Sequence, residues 1–245
     1  PVLQQVEDFA DGTVSASDCF RPVSRYFDRI TRPEQIMDAL PKALATMLDP
    51  ATCGPATVTF CQDVQAEAYD YPETFFAPRL WRERRQAADS SELAALVSAL
   101  KSAERPLLVA GGGVRYSEAE RALIALAEAT GLAVAETQAG KGALPWNHPN
   151  ALGSIGVTGS SAANAAAARA DLVIGVGTRL ADFTTGSRSL FAAARVAQIN
   201  VQAFDAHKHD ALAVVVDART GLRALTEALS GWHASATPQQ GEIAA

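Results

Sequence analysis

Between residues 31 and 48 the apolar positions recur at helical spacing: Ile36, Ala39, Leu40, Ala43, Leu44, Met47 and Leu48. The pattern predicts a helix capped by Thr31, with Pro33 in its first turn and Glu34 completing a capping box. Pro41 is expected to kink or divide it. The run Ala56–Cys61 has the β-branched and aromatic content of a buried strand. Residues 1–30 read as irregular apart from an extended stretch from Val23 to Phe27. Helix and strand together therefore resemble the tail of an α/β sheet. Residues 66–88 combine prolines with Tyr69, Tyr71, Phe75, Phe76 and Trp81, which predicts a crossing linker whose aromatics anchor on a neighbouring surface.

From residue 89 the pattern becomes a regular α/β alternation. Ser90 or Ser91 caps a helix through Leu100, and Leu107–Ala110 is a short apolar strand ending in Gly111, Gly112 and Gly113. Ser117 and Glu120 form a second capping box, opening a helix that Gly131 stops after Thr130. Leu132–Glu136 is the next strand. A long loop through Gly140, Gly142, Pro145 and Pro149 leads to an Ala-rich helix over Ser160–Arg169. Leu172–Val176 is so uniformly apolar that both of its faces must be covered, as in a parallel sheet between helix layers. Val196–Val201 and Val214–Val216 continue the sheet, and Thr220–Leu229 is a last helix. The expectation for residues 89–232 is an α/β fold with a doubly wound parallel sheet.

Composition narrows the possible functions. Hydrophobic residues make up 48% of the 245, enough for a sizeable core, and the net charge is −6. That charge argues against a nucleic-acid partner, because phosphate binding needs clustered Lys and Arg. The cluster Arg79, Arg82, Arg84 and Arg85 is local and reads as solvated. No apolar run is long enough for a membrane span. Cys19, Cys53 and Cys61 have no metal-like spacing, so free thiols in a reducing cytoplasm are the simplest expectation. His207 and His209 could bracket a metal only as adjacent side chains on one strand face, and no such site is expected.

Three segments carry candidate chemistry. Gly111, Gly112 and Gly113 end a strand, where backbone amides and a following helix N-terminus suit a phosphate. Glu136, ending the next strand, is placed to hold a ribose hydroxyl. The run lacks the third glycine of the dinucleotide fingerprint, so a weak, vestigial nucleotide loop and a plain tight turn both stay open. The second segment, Gly175–Gly186, follows the carboxyl end of a buried strand, where open α/β sheets place ligands. Here Arg179 and Asp182 either pair with each other or leave Asp182, Phe183, Thr184 and Thr185 to face a polyol. The third, Gly153–Ser161, offers Thr158 to a substrate, or serves only as a helix entry capped by Ser160 or Ser161. Gln138 and Lys141 occupy another such loop, with a surface role favoured for Lys141. No nucleophile elbow, zinc helix, Walker loop or Asp/Asn cluster for a magnesium diphosphate occurs.

The runs Arg105–Gly113, Glu136–Gly142, Leu152–Gly159 and Gly175–Arg179 resemble the central domain of thiamine-diphosphate enzymes of the acetolactate-synthase type. More narrowly, Pro1–Gln5, Asp18–Val23, Thr31–Glu34, Gln62–Tyr69 and Asp182–Thr185 are similar to the trihydroxycyclohexanedione-cleaving hydrolases of inositol catabolism. The resemblance implies that residues 1–72 are the C-terminal part of a pyrimidine-binding domain and 73–88 a linker. It makes 89–232 a Rossmann-like central domain and 233–245 a linker towards a diphosphate-binding domain. The family's activating glutamate is then expected before Pro1 and its magnesium motif after Ala245. Thiamine diphosphate and Mg2+ are thus expected in the parent enzyme and no cofactor or catalytic residue in this chain, an inactive fragment by itself. In such enzymes the cofactor is an electron sink while the ring C–C bond breaks, and hydrolysis releases 5-deoxyglucuronate. This chain is expected to add only a substrate wall of Thr158, Asp182, Phe183 and Thr184 for a cyclic polyol dione. The resemblance also implies a cytoplasmic homodimer or homotetramer. Rival expectations are an acetolactate-synthase-like carboligase or decarboxylase, a free-standing nucleotide-binding module, and a structural spacer.

Overall fold

The computed structural model describes residues 16–235. The resemblance quoted for Pro1–Gln5, and the connecting tail beyond residue 235, lie outside the described residues. Contacts divide the chain into two units that meet in sequence at Arg84 and Arg85.

In the first unit a 3-10 turn over Ala16–Val23 leads into β1 (Tyr26–Ile30), then α1 (Ile36–Leu48) and β2 (Ala56–Phe60). The strands pair in parallel, with Tyr26 opposite Ala56 and Ile30 opposite Phe60, and α1 is the crossover that parallel pairing demands. Ile30, Ala39, Cys61 and Val64 form its small core. β1 overlaps the expected extended stretch at Tyr26 and Phe27 and carries it on through Ile30, where irregular chain was expected. Its charges hide it from pattern reading, yet both are partnered: Asp28 accepts the Tyr26 hydroxyl at 2.8 Å, and Arg29 pairs with Asp18 at 3.0 Å. The expected capping box also changes hands. Gln35 Oε1, not Glu34, accepts the N–H groups of Thr31 and Arg32, and a 3-10 turn over Pro33–Gln35 precedes the helix. Pro41 removes one rung of α1 without dividing it. The aromatics of 69–76 pack mainly on each other, with Tyr71 stacked on Phe75 and its hydroxyl donating to Pro33 O at 3.0 Å.

The second unit runs α2 (Ser90–Ser102), β3 (Pro106–Ala110), α3 (Gly112–Tyr116), α4 (Glu120–Thr130), β4 (Ala133–Glu136) and β5 (Ala151–Ser154). It continues through α5 (Ser161–Arg169), β6 (Leu172–Val176), α6 (Asp182–Thr185), β7 (Arg195–Asn200), α7 (Ala203–Ala206), β8 (Leu212–Val215) and α8 (Ala218–Ala228). All six strands are parallel, in the order β5-β4-β3-β6-β7-β8. The chain thus starts in the middle, winds one way and then the other, which is the doubly wound order of Rossmann-like sheets.

Alternation along each strand builds two cores. Leu108 and Ala110 of β3, with Ile174 and Val176 of β6, pack under α2, α4 and α8. Leu107 and Val109, with Val173, pack on the opposite face beneath α5 and the β6–β7 crossover. Each fully buried Leu or Val contributes about 1.5–3 kcal/mol relative to exposure, so this sheet holds most of the chain's burial. Asp89 caps α2 through the amides of Ser91 and Glu92, where Ser90 or Ser91 was expected. Gly131, at φ 71°, ends α4 as expected. The Ser117–Glu120 box does not form, because Ser117 closes α3 and Ala119 takes the N-cap position of α4. Arg85, expected to be solvated, instead pairs at 3.1 Å with Asp217, whose buried carboxylate also caps α8. The three cysteines are free thiols. No helix among the described residues is long and apolar enough to cross a membrane.

Candidate functional site

The winding reverses between β3 and β6, the position where open α/β sheets place a ligand crevice. Both ends are glycine-rich, and here the two backbones meet. Gly111 N–H donates to Val176 O at 2.8 Å and Gly113 N–H to Gly177 O at 2.9 Å. A Cβ on Gly111 would lie 2.3 Å from Gly177 O, and one on Gly113 would lie 2.6 Å from Gly177 Cα. The glycines allow this approach, and the amides of Gly111 and Gly113 are spent on it. Glu136 is likewise engaged: its Oε1 accepts the Leu144 N–H at 2.8 Å and folds the following loop back over its strand. Arg115 holds the same loop through Lys141 O at 3.0 Å, while the Gln138 and Lys141 side chains are exposed.

One strand further out, the loop after β5 packs on α6. Gly156 adopts φ 109°, and a Cβ there would meet Phe183 O at 2.2 Å. Val157 N–H donates to Phe183 O at 2.8 Å. Asn164 of α5 grips Gly156 from both sides, accepting its N–H at 3.0 Å and donating to its carbonyl at 2.9 Å. Ser160 caps α5 through the Ala163 N–H and donates to Leu152 O at 3.0 Å. Gly156 and Val157 thus lie against Phe183 and Thr184 of a separate loop, with Thr158 next in the chain. Thr158, Asp182 and Phe183 are exposed, Thr184 is half-buried, and Phe183 shows 70% of its surface. Arg179 and Asp182 do not pair with each other, so the Asp182 carboxylate has no charged partner among the described residues.

Several supporting groups escape sequence reading because they are polar residues inside apolar elements. Asn200, buried in β7, donates to Thr178 O at 2.9 Å, and Thr178 Oγ1 accepts the Leu180 N–H. Asn164 sits in an alanine run whose periodicity carries no hint of its double bond. Large apolar side chains also stand exposed in the connections that follow β3, β4, β5, β6 and β7: Tyr116, Trp146, Val157, Phe183 and Phe204. Of these only Phe183 is marked by its sequence context. His207 and His209 turn to different backbone carbonyls, Ala203 O and Leu180 O.

The model of the thiamine pyrophosphate enzyme central domain matches residues 93–225. This chain belongs to that family. A 3D-(3,5/4)-trihydroxycyclohexane-1,2-dione hydrolase of Geobacillus thermodenitrificans is 50% identical over 232 residues, covering 95% of this chain and 36% of that protein. The enzyme of the same name from Halalkalibacterium halodurans is 46% identical over 247 residues, 100% of this chain and 39% of that protein. The chain therefore spans well under half the length of these relatives. A thiamine diphosphate-dependent 4-hydroxybenzoylformate decarboxylase of Rhodococcus jostii superposes with a TM-score of 0.74 at 21% identity, over 96% of this chain and 46% of that one. At that identity the likeness shows the fold alone.

The family name raises the question of where a diphosphate would sit. Among the described residues no group of three or more His, Cys, Asp or Glu gathers at metal-binding distance, and Gly111 and Gly113 have given their amides to the β6 connection. The described residues do not fit a magnesium-diphosphate cradle. What this central domain does offer is an exposed acceptor, an aromatic face and two threonine hydroxyls at one sheet edge.

Proposed function

We propose that this chain is the central region of a thiamine-diphosphate-dependent hydrolase that opens the ring of trihydroxycyclohexane-1,2-dione to 5-deoxyglucuronate in inositol catabolism. The observation that carries the reading is the 50% identity to such a hydrolase over 95% of the chain. In this reading residues 1–72 belong to a pyrimidine-binding domain and 89–232 are the complete central domain, with connections at 73–88 and 233–245. Thiamine diphosphate and Mg2+ are bound elsewhere in a cytoplasmic homodimer or homotetramer. Asp182 accepts ring hydroxyls of the dione. Phe183 lies against an apolar face of the ring and excludes water. Thr158 and Thr184 orient the remaining hydroxyls. The glycines at 111–113 act as a packing joint.

The test gives the complete enzyme the cyclic dione and pyruvate in separate assays. Dione consumption with release of an open-chain acid is expected. Turnover of pyruvate in its place would overturn the hydrolase reading in favour of a carboligase or decarboxylase. Asp182→Asn is expected to lower kcat/KM for the dione about tenfold, as lost polar contacts to a hydroxylated substrate do. Unchanged turnover would make this edge a spacer. Calorimetric titration of the 245-residue chain with thiamine diphosphate and Mg2+ is expected to show no binding, and clear binding would return the cofactor site to these residues.

A further inference from the structure

At Thr185, the last residue of α6, lies a cavity of about 310 Å³. Its lining includes Thr185, Arg188, Arg195, His209 and Asp210. Neither guanidinium has a hydrogen-bonding or charged partner among the described residues, and the Asp210 carboxylate has none either. His209 is tied in place, its Nε2 lying 3.0 Å from Leu180 O. Thr185 is 1% exposed, and its Oγ1 accepts the Arg188 N–H at 3.0 Å, which fixes where the arginine leaves the backbone.

The backbone here is unusual as well. Among the described residues, six non-glycine positions have positive φ: Glu118, Leu180, Ser187, Arg188, His209 and Asp210. Arg188, His209 and Asp210 line this cavity, Ser187 adjoins Arg188, and Leu180 supplies the carbonyl that holds His209. Left-handed backbone at residues other than Gly persists only where surrounding structure enforces it, and it gathers at ligand clamps and active sites. Two adjacent pairs, 187–188 and 209–210, converge on one cavity whose remaining wall is apolar, formed by Phe191, Ala192, Ala194 and Val196.

We infer that this cavity is a binding site for a small hydroxylated molecule bearing a single oxyanionic group, a carboxylate or a phosphate. Arg188 and Arg195 supply the forked donors that match either oxyanion. Asp210 adds a like charge that disfavours a second anionic group and accepts a hydroxyl donor. The inference is independent of the dione-hydrolase reading, because it rests only on the cavity and its charges. The two candidate regions share one element, since exposed Phe183 and buried Thr185 both belong to α6.

Inorganic phosphate and gluconate are the probes, titrated separately into the 245-residue chain by calorimetry at low salt. Saturable binding of at least one is expected, weakened about tenfold by Arg188→Gln and again by Arg195→Gln, each change removing a charge-assisted hydrogen-bond donor. The phosphate and gluconate arms identify which oxyanion the site takes. Arg223→Gln, on an exposed face of α8, is expected to leave binding unchanged. Arg195 is exposed at the first position of β7, so its variant keeps the fold even where Arg188→Gln disturbs it. Absence of saturable binding of both probes, or binding that survives Arg195→Gln, overturns the site.

Discussion

Two pairs of loops at the same edge of one sheet have opposite outcomes. The turns after β3 and β6 close on each other through Gly111, Gly113 and Gly177, and their backbone groups are mutually satisfied. The turns after β5 and β6 meet through Gly156 and Phe183 O, yet leave Thr158, Asp182 and Phe183 facing outward. Glycine serves close approach in both. The difference is that the first pair joins through glycine amides, Gly111 N–H on Val176 O and Gly113 N–H on Gly177 O, whereas the second joins through Val157 N–H and Phe183 O and leaves the candidate side chains exposed. A glycine-rich strand end is therefore not by itself a ligand loop. What decides is whether its amides still have lone partners to find.

Substitution separates the two pairs. Gly111→Ala sets a methyl 2.3 Å from Gly177 O, between two backbones that cannot swing aside. The expected loss is about 3 kcal/mol of stability, measured by urea unfolding, and a loss below the error of the fit would show that the joint is loose. Gly156→Ala meets Phe183 O and a φ of 109° as well, but its loops are exposed and can shift. About 2 kcal/mol is expected, together with a fall in dione turnover of the complete enzyme. Loss of stability without loss of turnover would sever this pair from the substrate.

Smaller effects test the same contrast away from the glycines. At the amino edge of the sheet Asp171 is partly buried, which raises its pKa, but the Glu104 and Arg105 amides at 2.6 and 2.8 Å outweigh that and hold it below the usual carboxylate range. Its folded pKa is depressed, so its contribution is fully present above the unfolded value of about 3.9. That contribution disappears as pH falls through the lower folded value. Asp171→Asn is expected to cost about 1 kcal/mol at neutral pH and to flatten the acid limb of a stability-versus-pH curve. An unchanged limb would assign acid sensitivity to other carboxylates. Phe183→Ala, at an exposed position, is expected to change stability by less than about 0.5 kcal/mol while lowering turnover. A large stability loss would mean that Phe183 is a packing residue.

Much of the sheet was legible in the chain because strands buried on both faces read as unbroken apolar runs. Leu172–Val176 is such a run, and it matches β6 residue for residue. β5 was not legible: Ala151–Ser154 is a short edge strand containing a glycine at φ 84°, and it pairs with β4 through a register shift. β1 was legible only in its first two residues, since Asp28 and Arg29 read as a break in the strand until the Tyr26 hydroxyl and Asp18 are seen to partner them. The candidate wall was legible only as separate segments. Thr158 and Asp182 each follow a strand end, and nothing in either segment reports that the two loops share a hydrogen bond.

The chain by itself determined the doubly wound sheet, the helix stop at Gly131 and the family, because burial period, glycine placement and local motifs are written in neighbouring residues. Only the tertiary structure decided that Gly111 and Gly113 spend their amides on β6, and that Arg85 reaches Asp217. It also decided that Arg188, Arg195, His209 and Asp210 surround one cavity. These outcomes depend on hydrogen bonds and charges between residues far apart in sequence, whose partners are chosen by the packing of strands and not by any local propensity.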